Sequence, residues 1–129
     1  MDFLLSLLVA GVVMGVIDAL WLGVIANKLY KDELGGLLRK KPDMVAAVLF
    51  YIVYVVGIVL FAVQPANSWQ DSLWLGALLG FVAYATYDLT NRATVKGFPW
   101  KIVVIDLVWG TLLTATVATV TYTAVSAWL

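Results

Sequence analysis

Apolar residues fall into four long runs, each ended by charged or turn-forming residues. A helix spans a bilayer with about 20 mostly apolar residues. The runs therefore predict helices from Phe3 to Ala26, Met44 to Val63, Leu73 to Thr90 and Ile102 to Trp128. Pro42 and Asp43 supply a stop and an N-cap before the second run. Pro99, in Gly97-Phe98-Pro99-Trp100, suits the first turn of the fourth. The first run lacks a basic leader and is too long for a signal peptide, so it reads as a retained helix. The expected fold class is all-α: an integral membrane four-helix bundle made of two helical hairpins, forming a single transmembrane domain over residues 1–129.

Composition supports a membrane setting and removes much chemistry. A chain of 129 residues that is 64% hydrophobic, with a mean hydropathy of +0.99, carries more apolar side chain than a soluble domain of this size can bury. The surplus faces lipid, so the bilayer is the first partner. Zero net charge and a pI near 6.0 offer no concentrated basic surface, so nucleic acid is excluded as a partner. The absence of Cys and His removes disulfides, thiolate nucleophiles, the usual zinc sites, iron–sulfur clusters and common haem ligands. No cofactor is implied, and any bound ion would be held by oxygen.

Orientation follows from the positive charges. Lys28, Lys31, Arg39, Lys40 and Lys41 lie in the first loop, and Arg92, Lys96 and Lys101 in the third. Lys and Arg beside spans stay in the cytoplasm, which predicts both termini and the Gln64 to Asp71 loop outside. Trp69, Trp74 and Trp128 are then expected at the outer interface, and Trp100 and Tyr30 at the inner one. Leu29, Leu34, Leu37 and Leu38 punctuate the charges of the first loop. That loop reads either as a short amphipathic piece on the inner leaflet or as a solvated connection.

Asp18, Asp88 and Asp106 sit inside the apolar runs, where an aspartate costs about 2.5 to 3.5 kcal/mol at mid-membrane and so needs compensation. At a rise of about 1.5 Å per residue, Asp18 lies roughly 12 Å in from the cytoplasmic end, Asp106 about 7 Å and Asp88 about 6 Å. Three small-residue rows accompany them: Gly11, Gly15 and Ala19; Gly76 and Gly80 leading to Tyr84 and Asp88; and Asp106, Gly110, Thr114 and Ala118. Small residues four apart let helix backbones approach, so the acids belong to helix interfaces. The bulk of Tyr84 is expected to confine close approach on the third helix to its outer half. Three local explanations stand beside convergence: Asp88 paired with Arg92, Asp106 helped by its helix N-terminus, and Asp18 bonded to a tyrosine or water.

Tyr84, Tyr87, Thr90, Asn91 and Thr94 lie near Asp88, and Tyr51 and Tyr54 occur on the second helix. Most threonines of the fourth helix are expected to bond their own backbone carbonyls. Trp21 and Trp109 each follow an aspartate by three residues, and serve either as cation–π walls or as packing. The candidate binding residues are thus Asp18, Trp21, Tyr87, Asp88, Thr90, Asn91, Asp106 and Trp109, with no catalytic residue singled out.

Three segments together, Asp18-Ala-Leu-Trp21-Leu22-Gly23, Tyr87-Asp88-Leu89-Thr90-Asn91-Arg92 through Lys96-Gly97-Phe98-Pro99-Trp100, and Asp106-Leu-Val-Trp109-Gly110, carry a resemblance. They are similar to the signature of a bacterial four-helix membrane family catalogued only as a domain of unknown function. The resemblance implies the fold and a place in the bacterial inner membrane as a multi-pass protein. It implies no activity, substrate or catalytic residue.

Three classes of function remain. Carboxyls at one depth, open to the cytoplasm, could couple proton or cation binding to transport of a small solute. Four helices make a thin pathway, so this reading calls for a homo-oligomer or a larger membrane complex. Alternatively, the polar belt pins the packing of a non-catalytic accessory subunit. A lipid-modifying enzyme, with Asp88, Asn91 and Asp106 holding Mg²⁺ against a headgroup, is the weaker reading, because one Asp per motif makes a poor magnesium site.

Overall fold

The computed structural model describes residues 1–37 and 43–128. Leu38, Arg39, Lys40, Lys41, Pro42 and Leu129 lie outside the described residues. The order is α1 (Phe3–Leu20), α2 (Asn27–Leu34), α3 (Met44–Ile58), α4 (Trp69–Thr94) and α5 (Trp100–Trp128). A π-helical turn over Trp21–Ala26 joins α1 to α2, and another over Val59–Val63 ends α3. Four stretches are long and apolar enough to cross a membrane: Phe3–Val24, Met44–Val63, Trp69–Thr94 and Trp100–Trp128. The protein is an all-α, multi-pass membrane protein.

Polar residues just outside the apolar runs build the helix starts. The Asp2 carboxylate accepts the Leu5 N–H at 2.9 Å, and that of Asp43 accepts the Ala46 N–H at 3.2 Å. The third span begins at Trp69, before its apolar run, because Ser68 caps it and Asp71 reaches back to the Asn67 backbone. Asp71 N–H donates to Ser68 Oγ at 3.2 Å, and Asp71 Oδ2 accepts from Asn67 N–H at 3.0 Å. At its far end α4 runs on to Thr94, whose hydroxyl donates to the Thr90 carbonyl at 2.8 Å. Gly97 then turns the chain with φ of 75°, a conformation that side chains with a Cβ resist. Arg92 clips that turn by donating to the Phe98 carbonyl at 3.1 Å. The chain re-enters the bundle antiparallel as α5.

The last helix is the hub. Half of its most apolar stretch is buried, against 17% for each of the other spans. Its most extensive contact is with α4, followed by α1, and α3 packs on α1. The common core includes Met14, Ile58, Leu113 and Val117. On α1 the large residues Leu4, Leu8, Val12, Val16 and Leu20, spaced by four, are exposed, whereas Ser6, Ala10 and Met14 are buried. Small side chains go to helix contacts and branched ones to lipid, as expected where lipid is as apolar as leucine.

Contact between α3 and α4 is made chiefly through the Val59–Val63 turn, at the end of the bundle away from the lysines. Toward the basic end the two helices part. There α2 folds against the base of α5: Leu29, Tyr30 and Leu34 pack on Phe98, Ile102 and Val103, and Lys101 pairs with Glu33 at 3.1 Å. Over these residues the first loop is a short amphipathic helix that docks on the base of α5, not a solvated connection.

Candidate functional site

The rows Gly76, Gly80, Tyr84, Asp88 and Ala118, Thr114, Gly110, Asp106 run antiparallel, and α4 and α5 zip them together. A Cβ on Gly76 would meet the Thr114 carbonyl at 2.8 Å and Ala118 Cβ at 2.9 Å. A Cβ on Gly80 would meet the Gly110 carbonyl and, at 2.8 Å, Thr114. One step further, the Tyr84 ring lies on Gly110, where no side chain larger than hydrogen fits. The bulk of Tyr84 therefore does not end the close approach, because the opposing helix supplies a hole for it. The next step along this register brings Asp88 to Asp106.

The two carboxyls come near enough to act on each other electrostatically. Asp88 has 0% of its surface exposed and Asp106 has 6%. No hydrogen-bond donor among the described residues reaches either oxygen of Asp88. Asp106 is served by α2: the Tyr30 phenol donates to Asp106 Oδ1. Tyr30 was expected at the membrane interface but turns inward, because the π-helical turn and α2 carry it back over the base of α5. Burial and the Asp106 carboxylate push the Tyr30 phenol well above its ordinary value of 10.0, so it stays a neutral donor.

Arg92 is turned away from Asp88. Its guanidinium lies 5.0 Å from the Trp100 ring centre and bonds the Phe98 carbonyl. The local ion-pair explanation of Asp88 is not what the geometry contains, since the next cation along the chain that meets an acid, Lys101, is held by Glu33. Trp21 and Trp109 stack on each other at 4.2 Å with 10° between their planes, which places α1 directly beside the acid pair.

Asp18 stands apart from the pair, half-buried on α1, where its field reaches the phenols of Tyr51, Tyr54 and Tyr84. Gly11 and Gly15 make room for Tyr51, whose hydroxyl donates to the Gly11 carbonyl; Ala19 in the same row is exposed. Tyr54 and Thr114 hydroxyls bond at 2.6 Å. Thr111 and Thr119 bond their own backbone, each at 2.7 Å. Tyr87 is 62% exposed, Asn91 is half-buried, and Thr90 faces outward. Of the eight candidates, Asp88, Asp106, Trp21 and Trp109 thus gather at one place. Asp18 approaches through tyrosines, and Tyr87, Asn91 and Thr90 lie to the side.

Tyr30 was missed as a member of this group, although an aromatic hydroxyl beside Leu29 and Leu34 on an otherwise charged helix was a visible sign. Tyr54 and Tyr84 line a cleft of about 520 Å³ with Phe50, Ala83 and Tyr87, where α3 and α4 part. Among the described residues no group of three His, Cys, Asp or Glu side chains gathers that could hold a metal ion. The arrangement suits a proton or cation held between two carboxyls. No curated protein and no solved structure matches the chain. The family model described as Predicted membrane protein (DUF2177) matches residues 3–123, and the chain belongs to that family.

Proposed function

We propose that the Asp88–Asp106 pair binds a proton or a small cation within the membrane and couples its occupancy to transport of a small solute. One observation carries this reading: Asp88 is fully buried near a second carboxyl, and no donor among the described residues reaches either of its oxygens. Two carboxylates sharing a site cannot both stay ionised, and an unpaired buried charge costs several kcal/mol even after relaxation. A proton or cation between them removes that cost, and exchanging it is a natural binding step. The charge distribution supports a setting in the bacterial inner membrane with both termini outside and the pair in the cytoplasmic half. A pathway of useful width takes at least two copies of so thin a bundle.

The test uses the protein reconstituted in lipid. Infrared difference spectra between acidic and alkaline buffer should show a protonated-carboxyl band that Asp88→Asn and Asp106→Asn each remove, and that Arg92→Gln leaves in place. Solid-supported membranes then test transport, with a panel of small cationic and neutral solutes driven by a pH gradient. A band missing from the wild type, or unmoved in both Asn variants, overturns the proton site. A titrating pair with neither current nor solute-driven proton flux for any solute overturns the coupling and leaves the acids as packing elements of an accessory subunit.

A further inference from the structure

The cleft between α3 and α4 has a shape and a chemistry of its own. Its walls are Phe50 and Tyr54 on α3 and Ala83, Tyr84 and Tyr87 on α4. At about 520 Å³ it falls within the range that holds a drug-sized molecule. Phe50 is 49% exposed and Tyr87 62%, so the mouth lies on faces of spanning helices and opens to lipid. Phe50 and Tyr54 stack at 5.6 Å, and Tyr54 and Tyr84 meet edge to face at 6.2 Å, which fixes a wall of ring surfaces.

Charge selects the occupant. Two acids lie just behind the wall: Tyr84 packs on Gly110, one helical turn from Asp106, and Tyr87 adjoins Asp88 on α4. Among the described residues no Lys or Arg lines the cleft. Arg92, one turn beyond Asp88 on the helix that forms one wall, is engaged with Trp100 and the Phe98 carbonyl. A surface of aromatic faces in a net negative field attracts positive charge and repels anions, and ring faces bind a weakly hydrated cation best once it is desolvated.

We infer that this cleft is the binding site of an apolar organic cation, an aromatic or quaternary ammonium or phosphonium type, which enters sideways from the bilayer and competes with the proton on the carboxyls. The inference rests on the reading of Asp88 and Asp106 as a proton-exchanging pair and adds the class of solute. The groups that bear on Asp88 in this exchange are Asp106 on α5, Tyr30 on α2 and Tyr87 on its own helix. Asp18 on α1 acts on the tyrosines of the cleft, Tyr54 on α3 and Tyr84 on α4. Low pH fills the pair with protons and should weaken cation binding, and high pH should strengthen it.

The probes are tetraphenylphosphonium and its anion of matching size, tetraphenylborate, measured on the protein in lipid nanodiscs against empty nanodiscs. The phosphonium should bind specifically and release about one proton per cation into weak buffer, while the borate should not bind. Asp88→Asn should lose about tenfold or more in affinity. Ala83→Phe fills the cleft and should abolish binding while leaving the pH-dependent carboxyl band intact; Tyr87→Leu, at an exposed position, should weaken binding without disturbing the fold. No specific phosphonium binding by a wild type whose carboxyls still titrate overturns the cleft and spares the acid pair. Equal binding of both probes, or binding unchanged in Asp88→Asn, makes the cleft an apolar groove and overturns the cation. Loss of the carboxyl titration itself overturns the reading on which the inference rests.

Discussion

Tyr30 is the residue on which α2 and the acid pair both depend. Its phenol gives Asp106 a donor that no residue of the four spans supplies among the described hydrogen bonds. Tyr30→Phe keeps the ring and removes the donor, leaving a buried acceptor short of a partner at a cost of about 1–3 kcal/mol. The expected outcome is faster amide exchange over α2, with the spanning helices unchanged. The pH dependence has a definite sign. The folded phenol titrates above its ordinary value of 10.0, so its contribution to docking is complete below that pH and is lost as the pH rises toward the folded value. Wild-type protein should therefore show the same loosening of α2 only in strongly alkaline buffer, and Tyr30→Phe should show it already at neutral pH. Equal exchange in wild type and variant would mean that the apolar contacts of Leu29 and Leu34 hold α2 without the hydrogen bond.

The decisive element is the α4–α5 hairpin, because its register is what unites two acids from different helices. Gly110 carries the Tyr84 ring, so Gly110→Ala forces ring and backbone apart. Overpacking of this kind costs about 1–3 kcal/mol. The variant should melt earlier in detergent and should also alter the infrared band of the acid pair, since Asp88 and Asp106 lie on the next step of the same register. Gly57→Ala on α3 is the control: nothing lies within 4 Å of the added carbon, and alanine favours helix over glycine by about 0.5–1 kcal/mol. A melting temperature lowered equally by both substitutions would show that close packing is not what sets the register. Both rows of this seam were visible as residues four apart. What they did not reveal was that Gly110 faces Tyr84, because a helix shows its own stripe but not which stripe of a neighbour meets it.

At the scale of the whole molecule, the bundle is closed at one end and parted at the other. The described basic residues collect where α3 and α4 separate, so the orientation of the chain decides which side of the membrane the acid pair serves. A reporter fused at the C-terminus should be active only outside the cytoplasm, and one inserted at Gly35 only inside it; the reverse pattern would place the pair in the outer half. The spans themselves were determined by the sequence alone, because a long apolar run has no alternative in water or lipid except to cross. Caps such as Asp43 marked where a run turns helical, although the Ser68 cap carried α4 beyond its apolar stretch. That Asp88 and Asp106 are buried at helix contacts was also readable from their small neighbours. Only the tertiary structure decided that Asp88 comes near Asp106 while Asp18 stays apart, that Arg92 turns to Trp100, and that Tyr30 folds inward. The physical reason is range. Hydropathy and capping act within a few residues of one helix, whereas these pairings depend on the relative rotation and slide of helices, which are set by the fit of whole faces.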